Sequence, residues 1–369
     1  MAEWQRILNT TIHQYIRDVE DNIMRNRKIL AMLQDRGRVS FNNSGDLMDW
    51  KVKYKKSPLR TMTDGDTLTF SKVNRYKTAQ LDWRGYAVTD ALGKFEKLKN
   101  QGSTEGIVKL ASDIVNSMVW EIEDSFGDEI YADGNAAGNT GRIHGLESWF
   151  GTSGASPHGF VGLPSDTYAG LLTNLGNYGG SWSKDASNNT AWPDGTGDVE
   201  YGFWSPLIVD YTDTAWSLPT GVSTYNWANT CSQAIRYAIT KSHKNKSKRG
   251  MLDMIILESE MYRLLLEQQA TKERLTVVRG DRKGGLYALG FEDSINIDGV
   301  DITSEYGIPD GIGYGLNVDE IELRSLQSQL FVPEVPDFDL ASYTERFSID
   351  FFGNMRCNPR YQVKFMSIT

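Results

Sequence analysis

Cysteine and histidine are scarce in this chain. Its 369 residues include only Cys231 and Cys357, far apart, and four isolated histidines, His13, His144, His158 and His243. Two distant cysteines supply neither a disulfide framework nor a zinc knuckle and read as free thiols. No histidine stands at ligand spacing from another histidine or a cysteine, which argues against a catalytic metal. Long apolar runs are missing too. None reaches the roughly 18 residues of a membrane span, and the opening "MAEWQRILNTTIHQYIRD" has no signal-type apolar stretch. The chain therefore reads as soluble and made in a cytoplasm. Positive charge is in deficit, the net being -9. That argues against a dedicated nucleic-acid reader, whose surface would be dominantly basic, but not against a wall that merely encloses nucleic acid.

Catalytic motifs are equally thin. "GTSGASPHG" offers Ser153 and His158, yet a nucleophile elbow wants glycine two places after the serine and Ala155 stands there. "DGNAAGNTGR" is glycine-rich but lacks the lysine and hydroxyl residue of a phosphate loop and follows a helix, so it reads as a connection. Asp298, Asp301, Glu305 and Asp310 match no calcium loop and read as surface acids. Trp149, Tyr178, Trp182, Trp192, Tyr201, Trp204, Trp216 and Trp227 sit among glycine and asparagine and would suit sugar stacking in a carbohydrate-binding protein. Packing staples are the favoured reading, because no two carboxylates stand out as acid and nucleophile.

What the sequence does contain is size and pattern. With 40% hydrophobic and 24% charged residues, the chain is long enough for two or three subdomains around a substantial core. From Trp50, "WKVKYKK" alternates Trp50, Val52 and Tyr54 with Lys51, Lys53 and Lys55, the period-two signature of a strand. "TDGDT" places Asp64 and Gly65 at a tight turn, and a return arm runs through Val73, Tyr76, Leu81, Trp83 and Tyr86. Such a ribbon orders many residues and buries little, so something else must cover it. Between Trp50 and Val88 the charge is +6, from Lys51, Lys53, Lys55, Lys56, Arg60, Lys72, Arg75, Lys77 and Arg84 against Asp64, Asp66 and Asp82. A basic arm on an acidic chain suits self-association.

Elsewhere the periods change. Ile12, Ile16, Val19, Ile23, Leu30 and Leu33 predict an N-terminal helix that stops at "DRGRVSFNNSGD". Ile107, Leu110, Ile114, Val115, Met118, Ile122 and Phe126 predict a long helix, opened by Ser103 or Thr104 and closed near Gly127. From Tyr131 to about Ser223 the text reads as long loops around short strands. Trp227, Cys231, Ile235 and Ile239 mark a further helix, "MLDMIIL" a buried strand, and "SEMYRLLLEQQATKERL" another helix, before a strand-rich end.

The order of these features resembles the major capsid protein of tailed bacteriophages, with the Hong Kong 97-type fold also found in encapsulin shells. The likeness spans nearly the whole chain and rests on "TTIHQYIRDVEDNIMRNRKILAML", "EGIVKLASDIVNSMVWEIEDSFGDEIYADGN", "GMLDMIILESEMYRLLLEQQ", "INIDGVDITSEYGIPDGIGYGLNVDEIEL" and "FFGNMRCNPRYQVKFMSI". It implies an α+β chain divided into an N-terminal arm (1–45), an extended β-hairpin loop (46–90), a peripheral domain with a spine helix (91–160), an axial domain with a Gly/Trp-rich insertion (161–324) and return strands of the peripheral domain (325–369).

The resemblance also implies a non-enzymatic structural protein without cofactor or metal, self-assembling into hexamers and pentamers of an icosahedral head around double-stranded DNA. The virion would be its place and the host bacterial cytoplasm its site of assembly, without a membrane. A portal protein and decoration proteins are implied partners. Because the arm helix begins almost at Met1, the scaffolding protein is expected to be separate. In such shells the extended loop lies over the adjacent subunit, so Lys51, Lys53, Lys55, Arg60, Asp64, Gly65, Lys72, Arg75 and Lys77 are the expected inter-subunit residues, the cations meeting carboxylates next door. No lysine, asparagine and glutamate trio for covalent locking is identifiable. An encapsulin-like compartment is the nearest alternative.

Overall fold

A computed structural model describes residues 27–54, 59–67, 70, 72–99, 104–150, 167–172, 177–178, 204, 206–214, 216–242, 251–272, 294–334 and 337–367. Most of the expected N-terminal helix, from Ile12 to Ile23, lies outside these residues. The described part, α1 (Lys28–Asp35), begins after Arg27, whose backbone is extended, and buries Ile29, Leu30, Met32 and Leu33.

Two sheets organise the chain. The first has six strands built around β16 (Thr344–Cys357), flanked by β4 (Arg84–Gly93) on one side and β13 (Ile321–Ser325) on the other, with β1 (Val39–Ser40), β14 (Val332–Pro333) and β15 (Asp337–Asp339) attached. Phe347, Ile349 and Phe351 of β16 alternate onto its buried face. There they meet the long helix α3 (Thr104–Glu129), where the Phe126 ring stands edge-on to Phe351 at 5.0 Å and to Phe331 at 5.2 Å. Of the described part of the helix stripe, Val115, Met118, Ile122 and Phe126 are buried and Ile114 is half-buried against the same core.

The helix ends at Glu129, close to the expected stop near Gly127. Glycine stands there because the Arg27 guanidinium lies against the backbone, and a Cβ would come within 2.1 Å of Arg27 Nε. A short helix α2 (Lys94–Lys99) joins β4 towards α3.

The second sheet has seven strands in the order β10 (Ile295–Ile297), β11 (Val300–Ser304), β9 (Met254–Leu257), β12 (Gly313–Leu316), β17 (Val363–Met366), β8 (Leu207–Asp210) and β7 (Asn177–Tyr178). Every residue of β8, β9, β12 and β17 is buried, so both faces are covered and the strands read as unbroken rather than alternating sequence. Val209, Ile255, Leu257, Val363 and Phe365 face α4 (Trp227–Ser242) and α5 (Ser259–Lys272), which bring Trp227, Cys231, Ile235, Met261 and Leu265. Ile208, Met254, Ile256, Tyr314 and Met366 face the larger core shared with the first sheet.

The two sheets share the end of the chain: after β16 it turns through Pro359–Tyr361 and inserts β17 between β12 and β8 of the second sheet. Likewise β13, inside the span expected for the axial domain, pairs with β16. Hydrogen bonds across this crossing, from Asn317 N to Gln362 Oε1 (2.9 Å) and from Gln362 Nε2 to Asn317 O (3.1 Å), satisfy buried polar groups where the chain changes sheets.

Candidate assembly surface

The basic arm begins as a true ribbon. β2 (Leu47–Lys53) and β3 (Tyr76–Asp82) pair antiparallel in the register Met48 with Leu81, Trp50 with Ala79 and Val52 with Lys77. Met48, Trp50, Val52, Ala79 and Leu81 are buried on one face. Lys51 and Lys53 project from the other, opposite Thr78 and Tyr76.

The base of the ribbon finds cover within its own chain, a difference from the expectation that neighbouring copies would supply it. Trp50 donates from Nε1 to Asn358 Oδ1 at 3.2 Å and lies 6.2 Å from Tyr168 and 6.4 Å from Trp204, with the Arg356 guanidinium 5.9 Å from its ring. The small hairpin of β5 (Thr167–Tyr168) and β6 (Leu171–Leu172) closes the side, Gln80 N donating to Ala169 O at 3.1 Å. The return arm is also shorter than its sequence suggests. β3 stops at Asp82, the Trp83 indole donates to Gly45 O at 2.8 Å, and Tyr86 belongs to β4. Tyr76, opposite Lys53, is 52% exposed on the outer face.

Beyond Tyr54, whose N–H donates to Arg75 O at 3.0 Å, none of the described arm residues is in a strand. The turn falls at Asp64 and Gly65, and Gly65 adopts a φ of +95° that side chains disfavour. Asp66 accepts from Thr63 N (2.8 Å) and Thr63 Oγ1 (2.9 Å), bonds that lower its pKa and stiffen the tip. Arg60, Lys72 and Arg75 are exposed, and Lys77 is half-buried with its ammonium 5.6 Å from the Tyr54 ring. Lys55 lies outside the described residues. The structure thus keeps Lys51, Lys53, Arg60, Lys72 and Arg75 on one projecting element. Sequence reasoning passed over three apolar residues of that element, Leu59 (99% exposed), Met62 (60%) and Phe70 (91%). Their signal was available: large apolar side chains recur in a mostly polar tip.

The platform under the arm is cross-braced by buried polar groups. The Tyr86 hydroxyl donates to Glu129 Oε2 at 2.7 Å, and Arg142 grips the same carboxylate at 2.7–3.1 Å. Burial pushes Glu129 up, but the bonds from Arg142 and Tyr86 outweigh it and hold its carboxyl below the ordinary range. Lys364, 1% exposed, pairs with Glu147 at 2.6 Å, and Tyr314 hydrogen-bonds to the same carboxylate.

At the end of α3, Arg27 donates to Tyr306 O at 2.7 Å and to Asp124 O and Asp128 Oδ1 at 3.4 Å, while Lys28 Nζ donates to Thr303 Oγ1 and Ser304 O at 2.6 Å. Glu305, read from sequence as a surface acid, is buried in this junction beside Tyr131. Desolvation raises its pKa to about 7 against the pull of Arg27 and Lys28.

The candidate chemical groups are placed as structural ones. His144 is buried and its pKa is depressed to about 4, chiefly by desolvation and then by Arg84; its backbone N–H donates to Asn354 Oδ1 at 2.9 Å. Cys231 and Cys357 are buried and not joined in a disulfide, and the Cys231 thiol donates to Gln268 Oε1 at 2.9 Å. Trp149, Trp204 and Trp227 are core residues, Trp204 stacking on Tyr168 at 6.0 Å, as the staple reading expects. Ser153, His13, His158, His243, Trp182, Trp192 and Tyr201 lie outside the described residues. Among the described residues no three histidine, cysteine or carboxylate side chains converge on one point, and no helix is long and apolar enough to cross a membrane. One open cleft of about 550 Å³ is lined by Tyr211, Trp227, Met261 and Leu264 with Glu258 and Glu260. Its Glu258 carboxylate caps α5, accepting from the backbone N–H of Glu260 (2.7 Å) and Met261 (3.0 Å).

No protein-family model and no curated protein matches the chain. Solved structures do. The chain is similar to the capsid asymmetric unit of Cyanophage A-1(L), with 15% identity, 92% of this chain and 93% of that chain covered, and a TM-score of 0.52. The capsid of the native GTA particle matches at 10% identity over 92% and 90% of the two chains, and that of the empty GTA particle at 9% over 92% and 97%, both with a TM-score of 0.52.

Proposed function

From the fold of a tailed-phage major capsid protein, which this chain has, we propose that it is the repeating subunit of an icosahedral phage head. Copies assemble into hexamers and pentamers around double-stranded DNA, with a scaffolding protein directing closure and a portal protein as a further partner. The observation that carries this reading is the arm: a basic element with exposed Leu59, Met62 and Phe70 projects from a chain whose net charge is -9. A monomer gains nothing from holding three large apolar side chains in water, whereas a neighbour that covers them gains the burial and the ion pairs together. Obligate interfaces of this kind run to roughly 2,000–5,000 Å², so many weak contacts add up to a firm shell. The chain has no enzymatic role in this reading; its buried acids, histidine and lysine brace the platform that aims the arm.

The test is negative-stain electron microscopy of the purified protein, expressed with and without the scaffolding protein from its genomic neighbourhood. Rings or closed shells are expected. A persistent, folded monomer under both conditions would refute the proposal.

A further inference from the structure

The second sheet and its two helices carry opposite charge at their two ends. At one end is the open cleft of about 550 Å³. Its floor is aromatic and fixed in place. The Tyr211 and Trp227 rings stand edge-on at 5.3 Å, the Trp227 indole donates to Met261 O at 2.8 Å, and the Tyr211 hydroxyl donates to Gly311 O at 3.0 Å. Three acids, Glu258, Glu260 and Asp310, stand around that floor. Arg263, on the same helix as Glu260, is shared between Glu260 and Glu267, so it does not offset Glu258 and Asp310. An apolar floor under an acidic rim suits a long cationic side chain, whose methylenes lie on the floor while its head meets the carboxylates.

The other end of the same elements leads into a basic stretch. Helix α4 starts at Trp227, in the cleft, and finishes at Ser242. Strand β9 starts at Met254, beside Leu316, whereas the cleft residue Gly311 precedes the opposite end of β12. Between these two starting points the sequence "HKNKSKRG" (243–250), which lies outside the described residues, holds Lys244, Lys246, Lys248 and Arg249 and no acid. Both of its anchors, Ser242 and Met251, are therefore at the end away from the cleft.

Reach decides which cleft this segment can enter. The 16 residues of α4 span about 24 Å. Eight residues tethered at both ends extend no more than about 16 Å from their anchors. The segment falls short of the cleft of its own chain, and only another copy can bring it there.

We propose that the cleft bounded by Trp227, Met261, Glu258 and Asp310 receives the basic segment 243–250 of a second copy of this chain. The inference rests on the shell-subunit reading for the presence of that copy. Segment and cleft are different surfaces of one molecule, so the contact runs head to tail and closes into a ring when the rotation allows. Because hydrogen bonds already hold the floor, the acceptor side gives up little freedom on binding.

The experiment places one cysteine on each surface, Asp310→Cys and Lys246→Cys in the same chain, and reads oxidised particles on a non-reducing gel. Cys231 and Cys357 are buried, and the parent protein serves as the blank. The double variant is expected to give a ladder of linked chains up to the full ring, while each single variant stays unlinked. Should that chain not fold, Glu260→Cys with Lys248→Cys puts the same question. Particles whose chains remain unlinked would overturn the inference and leave the shell reading standing. A bond closed within one chain, a single variant linked to its own kind, or Asp310→Cys linked to the scaffolding protein instead would overturn it as well. In parallel, Lys246→Glu with Lys248→Glu should lower particle yield about tenfold, and adding Glu260→Lys with Asp310→Lys should restore most of it. An unchanged yield on reversing the segment would also count against the contact. A parent protein that gives no particles at all would refute both readings.

Discussion

Gly127→Ala separates a tertiary requirement from a helical one. In the interior of a free helix the change would stabilise by about 1 kcal/mol, because alanine loses less backbone entropy than glycine. Here the new methyl would lie 2.1–2.4 Å from Nε, Cζ and Nη2 of Arg27. The guanidinium has to withdraw, giving up its bond to Tyr306 O (2.7 Å), its contacts to Asp124 O and Asp128, and its place over the Tyr306 ring at 5.9 Å. A hydrogen bond to a charged group contributes about 1.5–3 kcal/mol, and Glu305 would lose a neighbouring cation as well. The losses exceed the helical gain, so a net destabilisation of about 2–3 kcal/mol is expected.

Urea unfolding of the unassembled subunit, followed by far-ultraviolet circular dichroism, measures it. In an Arg27→Ala background the same substitution should instead stabilise by about 1 kcal/mol, since nothing remains to collide with. A single variant more stable than the parent would show that Arg27 does not need the notch, and the account of this junction would be wrong.

Glu305 gives the junction a pH dependence. Its pKa in the fold, about 7, lies above its ordinary value, so the folded state holds the proton more tightly and stability falls as pH rises from about 4.5 to 7, by about 3 kcal/mol in all. Glu305→Gln should remove that decline; parallel pH profiles for parent and variant would count against it. Lys364→Ala leaves the Glu147 carboxylate without its 2.6 Å partner and should cost about 3–5 kcal/mol in urea unfolding, while Lys364→Met with Glu147→Gln together should cost far less. Equal losses in both would mean the ion pair is not what matters there. Leu59→Ser with Phe70→Ser touches side chains 99% and 91% exposed, so the melting temperature should hold while particle yield by electron microscopy drops; unchanged yield would remove the tip from the interface.

Local pattern by itself determined the ribbon, its turn and the helices. The alternation around Trp50, the Asp64 and Gly65 pair, and the stripes of α3 and α4 each state which face is apolar, and period alone fixes strand or helix. Charge separation was legible in the same way, since the basic arm is contiguous in sequence. What covers each apolar face was not, because it depends on residues a hundred or more positions away: Trp50 meets Asn358 and Tyr168, and Gly127 answers to Arg27. Glu305 looked like a surface acid until the fold closed over it. The crossing of the chain from β16 into β17 was also invisible, since a fully buried strand carries no alternation to say which sheet will take it. The exposed tryptophan of α3 belongs to the same class. Trp120 follows a buried Val119 in a run of helical residues, and only the packed structure decides that its side of the helix faces water.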